Sequence, residues 1–190
     1  MKATCIIGSP HKSGCTGYII DNMCSGMDST GIEFKKYCIS QCNIKYCIGC
    51  KKCYIDGQCF QSDDVLPMIK SMFSSDFVIL AAPSYWAGVP GQLKTFFDRC
   101  TPFADTNPKR ILFPKGEPKG IAIAVRAGKT EPENELILDS IEHFYGHLGI
   151  KTIKRISVCQ SDNKKMMMQN NPDIGKKAFS LGAELCGVSV

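Results

Sequence analysis

Two rhythms of apolar residues take turns along the chain: short, fully apolar runs, and longer segments with helical spacing. Residues 3–7 form a short apolar run ended by Gly8 and Pro10. Residues 16–27 follow with helical periodicity, and Ser13, Gly14 and Thr16 mark their start. Residues 32–39 mix apolar and polar side chains, as an edge strand does, and Asp63 opens a helix reaching Phe73. Residues 77–82 are a fully apolar strand stopped by Pro83, residues 91–99 have helical spacing, and residues 121–125 read as another buried strand. Residues 136–148 put Ile137, Ile141, Phe144 and Leu148 on one helical face before Gly149 ends the helix, and residues 153–158 supply a fifth strand. The last helix is expected to open with Asn171 as its cap and Pro172 in its first turn, lining up Ile174, Ala178, Leu181 and Leu185.

Five strands interleaved with five helices predict one α/β domain over residues 1–190, with a parallel sheet covered on both faces. Parallel crossovers are right-handed and bring the C-terminal ends of the strands to one edge. The loops at residues 8–15, 41–62, 83–90 and 126–131 therefore share a rim, which is where ligands bind in such sheets.

Composition narrows the partners. The 190 residues are 44% hydrophobic, enough for a stable core. No window approaches the ~20 apolar residues of a membrane span. The first fourteen residues turn to Gly and Pro before a signal-peptide core could form, so an unexported, cytoplasmic protein is expected. The net charge of +5 comes from lysines scattered through the chain, Lys35, Lys51, Lys94, Lys115, Lys151 and Lys164 among them. Without an arginine-rich run this argues against nucleic acid and fits a phosphate-bearing cofactor.

Three rim loops carry candidate chemistry. Residues 8–16 (GSPHKSGCT) lie between a buried strand and a helix start, where free amides and the helix dipole favour an anion. Ser9, Ser13 and Thr16 add hydroxyls, and His11 a further donor. The loop is neither G-x-G-x-x-G nor the Walker pattern, which would need Gly at 13 and Lys at 14, so a monophosphate is the expected ligand. An ordinary capped turn would use the same residue types. Pro83, Ser84, Tyr85, Trp86, Ala87 and Gly88 follow the most apolar strand and carry the only tryptophan. Exposed aromatics there suit a flat ring system, with Gly88 permitting close approach; a hydrophobic plug or a subunit contact is the alternative. Arg126, Ala127 and Gly128 end the fourth strand in a small-residue turn able to touch such a ring through its backbone, although Arg126 reads equally as a surface charge.

Twelve cysteines are many for a reducing compartment, where stabilising disulfides are rare. Cys5, Cys24, Cys100, Cys159 and Cys186 fall in apolar patterns and read as small buried hydrophobes. Cys47, Cys50, Cys53 and Cys59 do not: they place four thiols in thirteen residues of the 42–62 loop, with Gly49 and Gly57 letting the backbone curl. Compact thiolate loops of this kind bind iron-sulfur clusters, and the spacing differs from the paired motifs of zinc ribbons. A zinc site and free thiols remain open on spacing alone. Cys38 and Cys42 lie outside the motif as spare thiols, either able to replace a ligand. Asp63 and Asp64 read as structural, at a helix start.

Residues 8–16 and 82–99 (APSYWAGVPGQLKTFFDR) resemble the first and second FMN loops of the NAD(P)H-dependent FMN reductase family. The chain departs from that pattern at His11 and Cys15, where the family often carries Arg and Asn. The cysteine motif resembles that of the iron-sulfur flavoproteins, a branch of the same family. This resemblance implies a flavodoxin-like three-layer sandwich with strand order 2-1-3-4-5. It implies FMN held by Ser9, His11, Ser13, Cys15, Thr16, the 83–88 loop and the 126–128 loop, and a 4Fe-4S cluster on Cys47, Cys50, Cys53 and Cys59. Homodimers or homotetramers follow from it too, and a redox partner such as ferredoxin or NAD(P)H.

FMN accepts electrons in pairs or singly, whereas one cluster passes one, so electron transfer is the expected function. Strand two is the sheet edge beside strand one, which sets its cysteine loop nearer the phosphate end than the ring of its own flavin. The cluster of one protomer is therefore expected to approach the flavin of another. The rival functions are a cluster-free NAD(P)H-dependent FMN or quinone reductase and a zinc- or thiol-based redox sensor. His143 and His147, four apart on a helix, read as a solvated face, and residues 101–118 as an insertion serving as a lid or an assembly arm.

Overall fold

Ile, Val and Ala runs fill the middle of the sheet, and consecutive residues of each run face opposite helical layers. The computed structural model describes residues 1–111 and 117–188. In chain order it contains β1 (Lys2–Ile7), α1 (Cys15–Ser29), β2 (Glu33–Cys38), α2 (Cys53–Asp56), α3 (Val65–Phe73), β3 (Phe77–Pro83), α4 (Gly91–Arg99), β4 (Lys119–Val125), α5 (Pro132–His147), β5 (Lys151–Val158), α6 (Lys164–Asn170) and α7 (Ile174–Glu184). The strands form one sheet in the order β2-β1-β3-β4-β5, every neighbouring pair parallel. This is the flavodoxin-like topology that the sequence implied.

Alternation along the strands builds two separate cores. Ile6, Val78, Leu80 and Ala122 pack with Met68, Leu93, Phe96 and Tyr145 of α3, α4 and α5. Cys5, Ile7, Ile79 and Ile123 pack with Ile19, Ile20, Met23 and Ala178 of α1 and α7 on the opposite face. The Tyr145 hydroxyl satisfies itself inside the first core by donating to the carbonyls of Val78 and Ile121 at 3.1 and 3.2 Å.

The C-terminal segment differs from expectation. Asn163 caps an unforeseen helix, α6, by accepting from the Met166 amide at 3.0 Å. Asn171 is the residue that ends α6, its amide bonded to the Met167 carbonyl, so it does not cap the next helix. The last helix opens two residues later than expected, at Ile174, with Asp173 in the cap position. The three methionines at 166–168 gave α6 no apolar stripe, because only Met167 is buried. The cysteine expectation also fails in part. Cys5, Cys24 and Cys100 are buried, but Cys159 is half-buried where the chain leaves β5, and Cys186 is exposed in the turn after α7. Of the insertion expected at 101–118, residues 112–116 lie outside the described residues.

Candidate cofactor sites

Helix α1 begins without a side-chain cap. Gly14 sits in its cap position and makes no side-chain bond, so the first-turn amides are left for a ligand at the rim. The preceding loop is pre-shaped. Gly8 donates to the Ala81 carbonyl at 2.8 Å, the His11 amide donates to Ser9 Oγ at 3.1 Å, and the Gly14 amide to the His11 carbonyl at 3.1 Å. Ser9 and Thr16 are buried, while His11 and Ser13 are exposed. Cys15 is buried and its thiol donates to the Ser161 carbonyl at 3.4 Å, which leaves only its backbone facing the loop. Burial raises the Cys15 pKa, so this thiol stays protonated.

The second cradle loop is a tight hairpin. Tyr85 and Gly88 exchange backbone bonds of 2.9 and 3.0 Å, and the turn between them places Trp86 at φ 54° and Ala87 at φ 57°. The left-handed backbone thus falls on two non-glycine residues. Left-handed non-glycine residues cost about 1–2 kcal/mol each, a strain usually tolerated where it aims a side chain. Trp86 is fully exposed, and Tyr85 is 45% exposed. Replacing Ala87 with Gly is expected to raise the unfolding free energy by about 1 kcal/mol, read from denaturant curves. A loss instead would show that the Ala87 methyl is held by contacts stronger than the strain.

Sequence reasoning missed Glu133, whose carboxylate ties the third and fourth rim loops together. It accepts from Ser84 Oγ at 3.0 Å and pairs with the Arg126 guanidinium at 3.1 Å. Arg126 also donates to the Thr130 carbonyl at 2.6 Å and folds back over Gly128. Its side chain braces the 126–131 turn, and what this loop offers a ligand is the backbone around exposed Ala127.

The four motif cysteines line one small cavity, together with Ile48, Lys51, Lys52 and Arg99. Cys47 and Cys50 are exposed; Cys53 and Cys59 are half-buried. Burial, and then the neighbouring thiols Cys59, Cys47 and Cys50, push the Cys53 pKa up, the crowding of like charge that a bound metal relieves. Among the described residues no three His, Cys, Asp or Glu side chains converge on one point closely enough for a single metal ion. Short helix α2 carries Cys53, and Gly57 ends it at φ +79°. A Cβ on Gly57 would sit 2.4 Å from the Lys109 carbonyl, so only glycine lets the loop close on the 101–111 segment. From that segment Asn107, almost wholly buried, donates to the carbonyls of Cys53 and Thr101 at 3.1 and 3.2 Å. Residues 101–111 thus brace the cysteine loop from behind.

The two ends of the loop are clamped by a buried ion pair. Asp63 and Arg99 bond directly, with side-chain exposures of 1% and 2%. Asp63 also accepts from the Lys45 and Val65 amides at 3.1 and 3.2 Å, and Arg99 donates to the Lys45 carbonyl at 2.7 Å. Burial raises the Asp63 carboxyl, but Arg99 and the two amides outweigh it and hold it below the ordinary range. The aspartate pair is therefore structural, as expected: Asp63 acts through Arg99, and Asp64 accepts from the Asn43 amide at 2.6 Å. Cys38 and Cys42 are not among the cavity's lining residues. The Cys38 sulfur lies 3.3 Å from Ser40 Oγ, and the Cys42 thiol donates to the Cys38 carbonyl at 3.3 Å. The His143 and His147 rings form a hydrogen-bonded chain, Nε2 to Nε2 at 3.1 Å, which ends on Asp105 at 2.6 Å from His147 Nδ1.

A family model described as NADPH-dependent FMN reductase matches residues 1–158. An iron-sulfur flavoprotein of Archaeoglobus fulgidus is 38% identical over 133 residues, covering 70% of this chain and 58% of the relative. An iron-sulfur flavoprotein of Methanocaldococcus jannaschii is 32% identical over 145 residues, covering 76% of this chain and 72% of that one. Among solved structures, an NAD(P)H:quinone oxidoreductase from Methanothermobacter marburgensis superposes with a TM-score of 0.72 at 14% identity, covering 100% of this chain and 99% of its own. No helix among the described residues is long and apolar enough to cross a membrane.

Proposed function

Because the chain belongs to the NADPH-dependent FMN reductase family, we propose that it is an FMN-dependent electron-transfer oxidoreductase that also holds a 4Fe-4S cluster on Cys47, Cys50, Cys53 and Cys59. The observation that carries this reading is the single cavity lined by all four thiols, on a rim loop of the sheet whose phosphate loop leaves a helix N-terminus uncapped. Relatives that bear the name iron-sulfur flavoprotein support it. When bound, FMN supplies paired or single electrons and the cluster supplies single ones.

The chain's own residues bind and shield. The uncapped start of α1, with Ser9 and Ser13 nearby, takes the phosphate. The strained hairpin puts Trp86 and Tyr85 where they exclude water from a ring, and the backbone of Ala127 and Gly128 faces it from the fourth loop. Lys51 and Lys52 lower the cost of gathering thiolates. No carboxylate dyad or Ser-His-Asp arrangement is needed for such transfer.

Exposed apolar side chains on the cysteine loop and hairpin, Tyr46, Ile48, Ile55, Phe60 and Trp86, favour a homo-oligomer in which the cluster of one protomer lies near the flavin of another. NAD(P)H or a ferredoxin-like protein is the fitting electron donor, and the cytoplasm the fitting compartment for so many reduced thiols. Protein purified without oxygen is expected to contain about four irons with matching acid-labile sulfide and one FMN per chain. One zinc per chain would overturn the cluster reading and leave a sensor in its place, and yellow, iron-free protein would leave a plain flavin reductase.

A further inference from the structure

One wall of the cysteine cavity is a buried cation. Arg99, the last residue of α4, lines the cavity with the four cysteines, and its side chain is 2% exposed. A guanidinium carries five N–H donors. Nη1 donates to the Lys45 carbonyl and to Asp63, and Nη2 donates to the Gln61 carbonyl at 3.4 Å and to Asp63 at 3.2 Å. Those four bonds use every Nη hydrogen. Nε is buried and has no partner in the protein. A buried N–H left unpaired bears its full desolvation cost, so this one points to a missing acceptor.

Cys59 lines the cysteine cavity together with Arg99, and again a neighbouring cavity walled by Asp63, Val65 and Arg99. A thiol is a weak acceptor, whereas a metal-bound thiolate is a strong one. We infer that Arg99 Nε–H bonds the Cys59 sulfur in the cluster-loaded protein and that Arg99 is a positioning residue which raises the reduction potential of the cluster. The inference rests on the cluster reading above.

Reduction adds one negative charge to a cluster, and an N–H directed at a ligand sulfur stabilises that charge. Asp63 neutralises Arg99 as a pair, so the effect is short-ranged: it acts on the sulfur that Nε faces and leaves the flavin alone. Arg99 also clamps the Lys45 and Gln61 carbonyls, a structural duty that a test has to separate from tuning.

Arg99→Lys keeps a cation for Asp63 but has no Nε–H. In an anaerobic redox titration followed by electron paramagnetic resonance, iron-replete Arg99→Lys is expected to shift the electron from cluster to flavin about tenfold, a fall of about 59 mV in the cluster potential, with the flavin potential unmoved. An iron-replete variant with an unchanged cluster potential overturns the inference. Should the variant fail to take up iron, the unmutated protein decides. With arginine labelled with nitrogen-15 at Nε, the reduced cluster is expected to show a resolved hyperfine coupling to that nitrogen. Its absence in iron-loaded protein overturns the role of Arg99 alone, whereas iron-free unmutated protein overturns the cluster reading and this inference with it.

Discussion

Replacing any one of Cys47, Cys50, Cys53 or Cys59 with Ser is expected to strip most of the iron and acid-labile sulfide from anaerobically purified protein, while Cys38→Ser and Cys42→Ser keep about four irons per chain. The contrast follows from geometry. The first four thiols line one cavity, and the other two do not reach it. Cys42 is additionally a poor ligand: burial, then Asp64 and Cys38, push its pKa up to about 11, so the thiolate is scarce at neutral pH. Because the cluster binds the folded chain, its loss should also lower the midpoint of thermal unfolding. Iron lost from Cys42→Ser as completely as from Cys47→Ser would show that the ligand set is wrong.

The fold was legible because its signals are local. Five apolar runs and their stop residues needed no knowledge of distant neighbours, and the strand order then followed with the flavodoxin-like resemblance. Asn171 failed as a cap for a local reason as well: Asn163 competes for the same stretch and wins, because its side chain reaches Met166 and starts α6 first. The cysteine motif was legible as spacing, since side chains within one short loop must share a neighbourhood.

Residues that work across the sequence were invisible. Arg99 and Asp63 are 36 positions apart, and nothing in either stretch says that they meet. Glu133 joins Ser84 to Arg126 only after β3 and β4 have paired. A faint signal existed for Arg99: an arginine closing a helix of apolar spacing, next to a buried cysteine, is an expensive residue to bury without a partner. Glycine is the usual bearer of left-handed backbone, so a hairpin that loads the strain onto Trp86 and Ala87 cannot be read from residue type.

Gly17 carries the other large expected effect. A glycine in the first turns of a helix normally costs about 1 kcal/mol relative to Ala, so substitution should stabilise α1. Here the sign reverses. A Cβ on Gly17 would stand 1.8 Å from the Lys12 carbonyl oxygen and 2.9 Å from its carbon, and neither backbone atom can yield without lifting the phosphate loop off the helix. Anion binding at a helix N-terminus depends on directed N–H bonds, which weaken steeply when misaligned. Gly17→Ala is therefore expected to weaken FMN binding about 100-fold, or about 2.7 kcal/mol, in a fluorescence-quenching titration of the flavin-free protein. Gly146→Ala on α5, where nothing stands within 4 Å of the new methyl, serves as the control and should bind FMN as the unmutated protein does. If Gly17→Ala binds FMN as tightly as that control, the phosphate does not sit on this loop, and the hydroxyls of Ser9 and Ser13 lose their assigned role.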